Sequence, residues 1–254
     1  MLKFQVSLTA TVVAFIGVIS LRAMADNALG TEISFRTLCF EHRNNVTAVL
    51  ASGGAAAKIP VPLYTSDFSD VIKARFVNGK AAFYVEEAQP DGQILKKIVA
   101  EGPLAQSLKQ AFVLVPTDGK DGIIYRIVAF EDGEDAFPMG STRVLNFSPF
   151  PIRLNLAGSV LPPIKPGGNG LYPVVKKVDE WNMYTALIQF GVTPEQWVDV
   201  ATQSWKSSNR KRDWVITHYD AATKQPTIRQ YKDIPPWRRT VLPTAGASDR
   251  AANP

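Results

Sequence analysis

The residues able to perform chemistry are few, and no catalytic motif groups them. The 254-residue chain contains one cysteine, Cys39, and two histidines, His42 and His218. One cysteine excludes an intramolecular disulfide and a cysteine-based metal cluster, and two histidines cannot form a three-histidine metal site. The sequence has no nucleophile elbow, no His-Glu-x-x-His motif, no phosphate-binding loop and no dinucleotide fingerprint. We therefore predict a noncatalytic protein without a metal or other cofactor.

The cysteine and the histidines are each expected to be structural. Cys39 lies in the predicted strand 33–40 and is expected to be a small hydrophobic residue buried there. His218 lies in a predicted strand beside Trp214 and Ile216, and His42 lies in a polar turn. A glycoside hydrolase would show no local sequence motif, because its two catalytic carboxylates can be far apart in the sequence. A polysaccharide-acting hydrolase therefore remains an alternative.

Two charged segments are candidates for ligand binding. Asp132, Glu134 and Asp135 form an acidic turn with the oxygen ligands that Ca²⁺ prefers, although solvation is the simpler interpretation. The second segment combines basic and aromatic residues and looks like a β-turn that displays three consecutive cations. Its candidate contacts to an anionic partner are Trp205, Lys206, Arg210, Lys211 and Arg212.

The charge of the chain is concentrated in its second half. Residues 26–150 contain 12 basic and 15 acidic residues, a net charge of −3, whereas residues 151–254 contain 14 and 8, a net charge of +6. This asymmetry favours an anionic glycan, a membrane surface or an envelope protein as partner. Nucleic acid is not expected, because the chain lacks a dense stripe of lysine and arginine.

Short segments rich in β-branched and aromatic residues, separated by turn residues, predict strands almost throughout. The Asn78-Gly79 dipeptide predicts a type I′ hairpin. One or two helical turns are expected within 103–111, and a short helix at 193–196. The predicted strands are 33–40, 46–51, 71–77, 80–86, 94–99, 110–115, 123–130, 142–147, 152–157, 171–176, 182–190, 197–205, 212–219 and 227–233.

Several segments recur at a nearly constant spacing. The Arg-x-Leu-x-Phe pattern of residues 36–40 returns at 143–147, an offset of 107, and Phe112-Val113 resembles Trp214-Val215 at an offset of 102. Such a spacing predicts a tandem repeat. We therefore predict an all-β fold of two tandem immunoglobulin-like β-sandwich modules, each burying alternate strand residues.

The two modules are expected to follow a signal peptide. Residues 1–25 have a basic start, an apolar stretch and an Ala-x-Ala site at Ala23-Met24-Ala25. The predicted division is 1–25 signal peptide, 26–136 first module, 137–234 second module and 235–254 disordered tail. The protein is thus expected to be periplasmic, cell-surface or secreted, with an uncleaved membrane anchor as the alternative.

The segment that begins at Phe137 is similar to a family of uncharacterised bacterial exported proteins. It contains Phe-Pro-Met-Gly-Ser at 137–141 and Arg-Val-Leu-Asn-Phe-Ser-Pro at 143–149, followed by Pro-Gly-Gly at 166–168. The resemblance covers about residues 125–235, and its motifs are structural. It implies an exported β-sandwich with no catalytic residue to transfer.

These observations lead to one main functional hypothesis. We expect a noncatalytic exported binding or structural protein, associated with the envelope or surface. A periplasmic assembly chaperone, which would offer an edge strand to a subunit, is the first alternative. The polysaccharide hydrolase is the second.

Overall fold

The computed structural model describes residues 30–53, 57–193, 195–220, 223 and 225–239. The predicted signal peptide, 1–25, and residues 240–254 of the predicted tail lie outside this part of the chain. The chain divides into two compact units between Ala136 and Phe137. Among the described residues there is no α-helix, and the prediction of an all-β fold is confirmed.

Each unit contributes eight strands. In the first unit they are β1 (Thr31–Cys39), β2 (Ala48–Ser52), β3 (Lys58–Pro62), β4 (Ile72–Phe76), β5 (Lys80–Ala88), β6 (Ile94–Pro103), β7 (Lys109–Pro116) and β8 (Tyr125–Glu131). In the second they are β9 (Thr142–Phe147), β10 (Ile152–Leu156), β11 (Ser159–Val160), β12 (Asn169–Tyr172), β13 (Met183–Gly191), β14 (Trp197–Lys206), β15 (Arg212–Asp220) and β16 (Gln225–Asp233).

The strands of the first unit form one sheet in the order β3-β2-β5-β6-β8-β7-β1-β4. All neighbours are antiparallel except β1 with β7 and β6 with β8, which are parallel. Four phenylalanine rings from β1, β4, β5 and β7 meet in the core, with centroids 4.7–6.1 Å apart. Because these strands come from both halves of the sheet, the sheet folds over and encloses the core.

The second unit has two sheets, in the orders β11-β10-β13-β14 and β12-β9-β15-β16. Here β9 and β15 are parallel and all other neighbours are antiparallel. Val144 and Val215 of one sheet pack with Leu154 and Ile188 of the other. The core therefore lies between two sheets, as in a β-sandwich.

The same strand pairs recur in both units. Every pairing in the second unit has a counterpart eight strands earlier, with the same direction, including the parallel pair of first and seventh strands. The unit that begins with β1 has one additional pairing, between β6 and β8, which joins its two half-sheets.

The pairing corrects one part of the internal sequence comparison. Arg36 lies opposite Ala111, and Arg143 lies opposite Trp214. If the two arginines are equivalent, Trp214 therefore corresponds to Ala111 and not to Phe112. Burial agrees, because Phe112 and Val215 both face their cores. An alignment shifted by one residue exchanges the two faces of a strand.

Several local expectations have clear outcomes. The tight turn at Asn78-Gly79 is confirmed, because both residues have positive φ and Lys80 N–H donates to Val77 C=O. The hairpin is wrong, because β4 pairs with β1 whereas β5 pairs with β2 and β6. The helical turns expected within 103–111 are wrong, because β6 ends at Pro103 and β7 begins at Lys109. Described residues around 193–196 form no helix either, and Pro194 lies outside them.

Burial of alternate residues is wrong for the central strands. Trp214, Val215 and Ile216 are consecutive residues of β15, and each has an exposed fraction of 0%. Both faces of this strand are therefore covered. Buried and exposed residues are expected to alternate along a strand only where one face of the sheet is exposed to solvent.

Candidate functional site

The acidic turn at the end of the first unit contributes an aspartate to a buried ion pair. Asp132 is buried, with an exposed fraction of 2%, and it accepts two hydrogen bonds from Arg36, at 2.8 and 2.9 Å. The Arg36 guanidinium also lies 4.8 Å from the centre of the Phe68 ring. The calcium hypothesis for Asp132, Glu134 and Asp135 is therefore wrong, because Asp132 already binds an internal cation. No group of three potential metal ligands occurs in the described parts of the chain.

The predicted basic-aromatic segment is split between the core and the surface. Trp205 has an exposed fraction of 3%; its ring packs against Tyr184, and its indole N–H donates to Gln203. Arg212 is fully buried at the start of β15. It donates to Asp233, the last residue of β16, and to the carbonyl of Phe137 at 3.2 Å. Trp205 and Arg212 are therefore corrected from partner contacts to core residues.

Lys211 is also largely withdrawn from solvent. It forms an ion pair with Asp213, and both side chains are about one-tenth exposed. Burial raises the pKa of the Asp213 carboxyl above its ordinary value, and the hydrogen bond from Lys211 opposes that rise. Three consecutive cations are therefore not displayed, because β15 begins inside this segment and turns Arg212 into the core. Lys206 and Arg210 remain exposed.

Arg210 lines a concave surface pocket of about 340 Å³. The other lining residues are Met139, Asn209 and Arg238. The loop before β15 positions Arg210, whose N–H donates to the Ser208 hydroxyl, and the 3₁₀ turn Pro236–Arg238 positions Arg238. Two arginines thus line one pocket. Arginine is the side chain best suited to bind a carboxylate, sulfate or phosphate group.

The sequence interpretation found only part of this pocket. Met139 belongs to the Phe-Pro-Met-Gly-Ser segment, and its sequence context does not predict a binding contact. Arg238 was assigned to the disordered tail, yet residues 235–239 contain a 3₁₀ turn and Pro235 is buried. A large aromatic residue in this turn, Trp237, is the signal in the sequence that could have predicted its packing, because the Arg212 guanidinium lies 5.7 Å from its ring centre.

The three residues considered for nucleophilic or acid–base chemistry occupy structural positions. Cys39 is fully buried in β1, as predicted, and its thiol lies 3.2 Å from the carbonyl of Glu41. The His42 ring lies 2.6 Å from the carbonyl of Leu63. His218 lies near the end of β15, partly buried. None of these residues lines the pocket that contains Arg210 and Arg238.

No protein-family model matches the sequence, and no curated protein is significantly similar to it. Within the described residues, no helix is long and apolar enough to cross a membrane.

Proposed function

We propose that this protein is a noncatalytic exported binding protein of the cell envelope or surface, and that it binds an anionic glycan through its second unit. The observation that carries this proposal is the pocket formed by Arg210 and Arg238. It lies in the half of the chain with a net charge of +6. Trp237, 43% exposed in the same turn as Arg238, offers an indole face for a sugar ring.

The proposal includes a tandem repeat of two immunoglobulin-like modules after a cleaved signal peptide. The recurrence of the strand pairs from one unit to the next supports duplication. The basic and apolar N-terminal segment with its Ala-x-Ala site supports export. These two features favour a rigid extracytoplasmic scaffold whose loops bind the partner.

Charge reversal tests the glycan site. The variant Arg210→Glu with Arg238→Glu should lose retention on an immobilised sulfated polysaccharide at low salt. The matched control, Lys165→Glu with Lys176→Glu, makes the same change in net charge at exposed residues of the same unit that do not line the pocket. It should keep most of the retention.

Two outcomes would contradict this proposal. Equal losses in the two double variants would show that only net charge matters. Retention of the wild type on anionic phospholipid vesicles, without retention on the polysaccharide, would assign the surface to a membrane. Arg212 should not be included in such variants, because its removal leaves Asp233 buried without its cation.

The assembly chaperone remains a second candidate, because one hairpin exposes apolar residues. Ile94, Leu95 and Ile98 of β6 are 46–61% exposed. A chaperone would keep an aggregation-prone subunit soluble at a one-to-one ratio, and replacement of these three residues by threonine would abolish that activity. A scaffold that only binds glycans would show no such protection.

A further inference from the structure

The strongest structural difference between the two units lies at one strand edge. In the first unit, β6 pairs with β5 on one side and with β8 on the other, at Ala100 and Glu101. The Ile124 N–H also donates to the Val99 carbonyl, at 2.9 Å. A strand of the same chain thus covers part of this edge.

In the part of the second unit that the structure describes, no strand covers the equivalent edge. β14 pairs with β13, and β16 pairs with β15; no pairing joins β14 to β16 within the described residues. The open edge runs along ten residues, Trp197–Lys206, a length of about 33 Å for an extended strand. Its peptide groups are available to another strand.

The charges of β14 indicate which strand fits this edge. The strand carries one acidic residue, Asp199, near its start and one basic residue, Lys206, at its end. Asp199 lies opposite Gln189, whose neighbours Ile188 and Phe190 face the core, so Asp199 points away from it. Lys206 follows the core residue Trp205 and points the same way. An antiparallel copy of the strand therefore places opposite charges together at both ends.

We propose that this protein forms a symmetric dimer in which β14 pairs antiparallel with β14 of a second copy. The two-fold axis passes between the Gln203 residues of the two chains. Because Val200 is the extra residue of the β-bulge opposite Gln189, Asp199 of each chain then faces Lys206 of the other. The pairing joins two four-stranded sheets into one of eight strands and buries part of Val198, which is 45% exposed. A two-fold axis makes every contact occur twice.

Light scattering coupled to size exclusion, on the chain that includes both units, tests the proposal. The wild type should have twice the mass of one chain. Asp199→Lys and Lys206→Asp should each weaken dimerisation about tenfold or more, because each places like charges opposite one another twice. The variant that combines both substitutions should form the dimer again.

Further variants separate pairing from folding. Asp199→Asn keeps an oxygen that accepts the 2.6 Å hydrogen bond from Gln189. It should therefore weaken the dimer and leave the circular dichroism spectrum of the folded chain unchanged. Lys165→Asp, a matched exposed control away from β14, should remain dimeric. A monomeric wild type at every concentration, or failure of the combined charge exchange to restore the dimer, would overturn the proposal. Neither result depends on glycan binding, which Arg210 and Arg238 test separately.

Discussion

Each unit buries an arginine against an aspartate at the end of its last strand. Asp132 follows β8 and binds Arg36 of β1, whereas Asp233 ends β16 and binds Arg212 of β15. An aromatic face covers each guanidinium, from Phe68 in one unit and Phe137 in the other. In each unit an aspartate thus neutralises one buried arginine, but the two arginines come from strands that are not equivalent, β1 and β15. The ion pair with Asp233 explains why Arg212, which was predicted to contact a partner, lies in the interior.

The Arg212–Asp233 pair gives a stability prediction. Asp233→Ala should destabilise the second unit by about 3–5 kcal/mol, because it leaves a buried guanidinium without its counterion. Glu86→Ala is the control: it breaks the more exposed pair with Lys58 and should leave the free energy of unfolding nearly unchanged. Urea denaturation measures both free energies of unfolding. Similar losses for the two variants would contradict the structural role of the buried pair.

Buried tyrosines predict a loss of stability at high pH. Desolvation raises the pKa of Tyr184 from 10.0 to about 12. The unfolded chain therefore releases this proton first, and the contribution of Tyr184, which is complete below pH 10, is lost as the pH rises through 12. Tyr184→Phe should reduce the fall in unfolding free energy between pH 10 and 12, as urea titrations at each pH would show. An unchanged slope would contradict the assignment.

At the scale of elements, hydropathy and turn residues predicted most strands, and the misses have specific causes. β3 was not predicted because it contains Pro60 and Pro62, but it is an edge strand, where proline is tolerated. Segment 103–111 looked helical, yet the Gln110 side chain binds the N–H and C=O of Ala105 and holds a loop there. A side-chain hydrogen bond to the backbone five residues away leaves no periodic signal in the sequence.

The junction of β6 with β8 gives a prediction for one glycine. A Cβ at Gly102 would collide with the Ile127 carbonyl oxygen, which is backbone and cannot move aside alone. Gly102→Ala should therefore destabilise the first unit by about 1–3 kcal/mol. Gly133→Ala, where an added Cβ meets nothing within 4 Å, is the control and should be nearly neutral. Equal melting temperatures for the two variants would contradict this close approach.

At the scale of the whole molecule, the two units carry different natural probes. All five tryptophans lie after residue 136, and the one cysteine, Cys39, lies before it. We expect Asp233→Ala to lower the denaturation midpoint measured by tryptophan fluorescence more than that measured by thiol labelling. Gly102→Ala should lower the midpoint measured by thiol labelling more than that measured by tryptophan fluorescence, because each unit has its own core. Equal shifts of both probes in both variants would indicate one cooperative transition.

The sequence by itself determined the all-β class, most strand positions, the Asn78-Gly79 turn and the burial of Cys39. These features depend on local residue preferences and on hydropathy, which a short segment of sequence is enough to show. Only the tertiary structure decided that Arg212 and Trp205 are internal, that Arg238 joins Arg210 at a pocket, and that no described strand pairs with the outer edge of β14. Each of these depends on which distant strand lies alongside, and the strand register that brings Asp233 to Arg212 is set by the packing of the complete sheets.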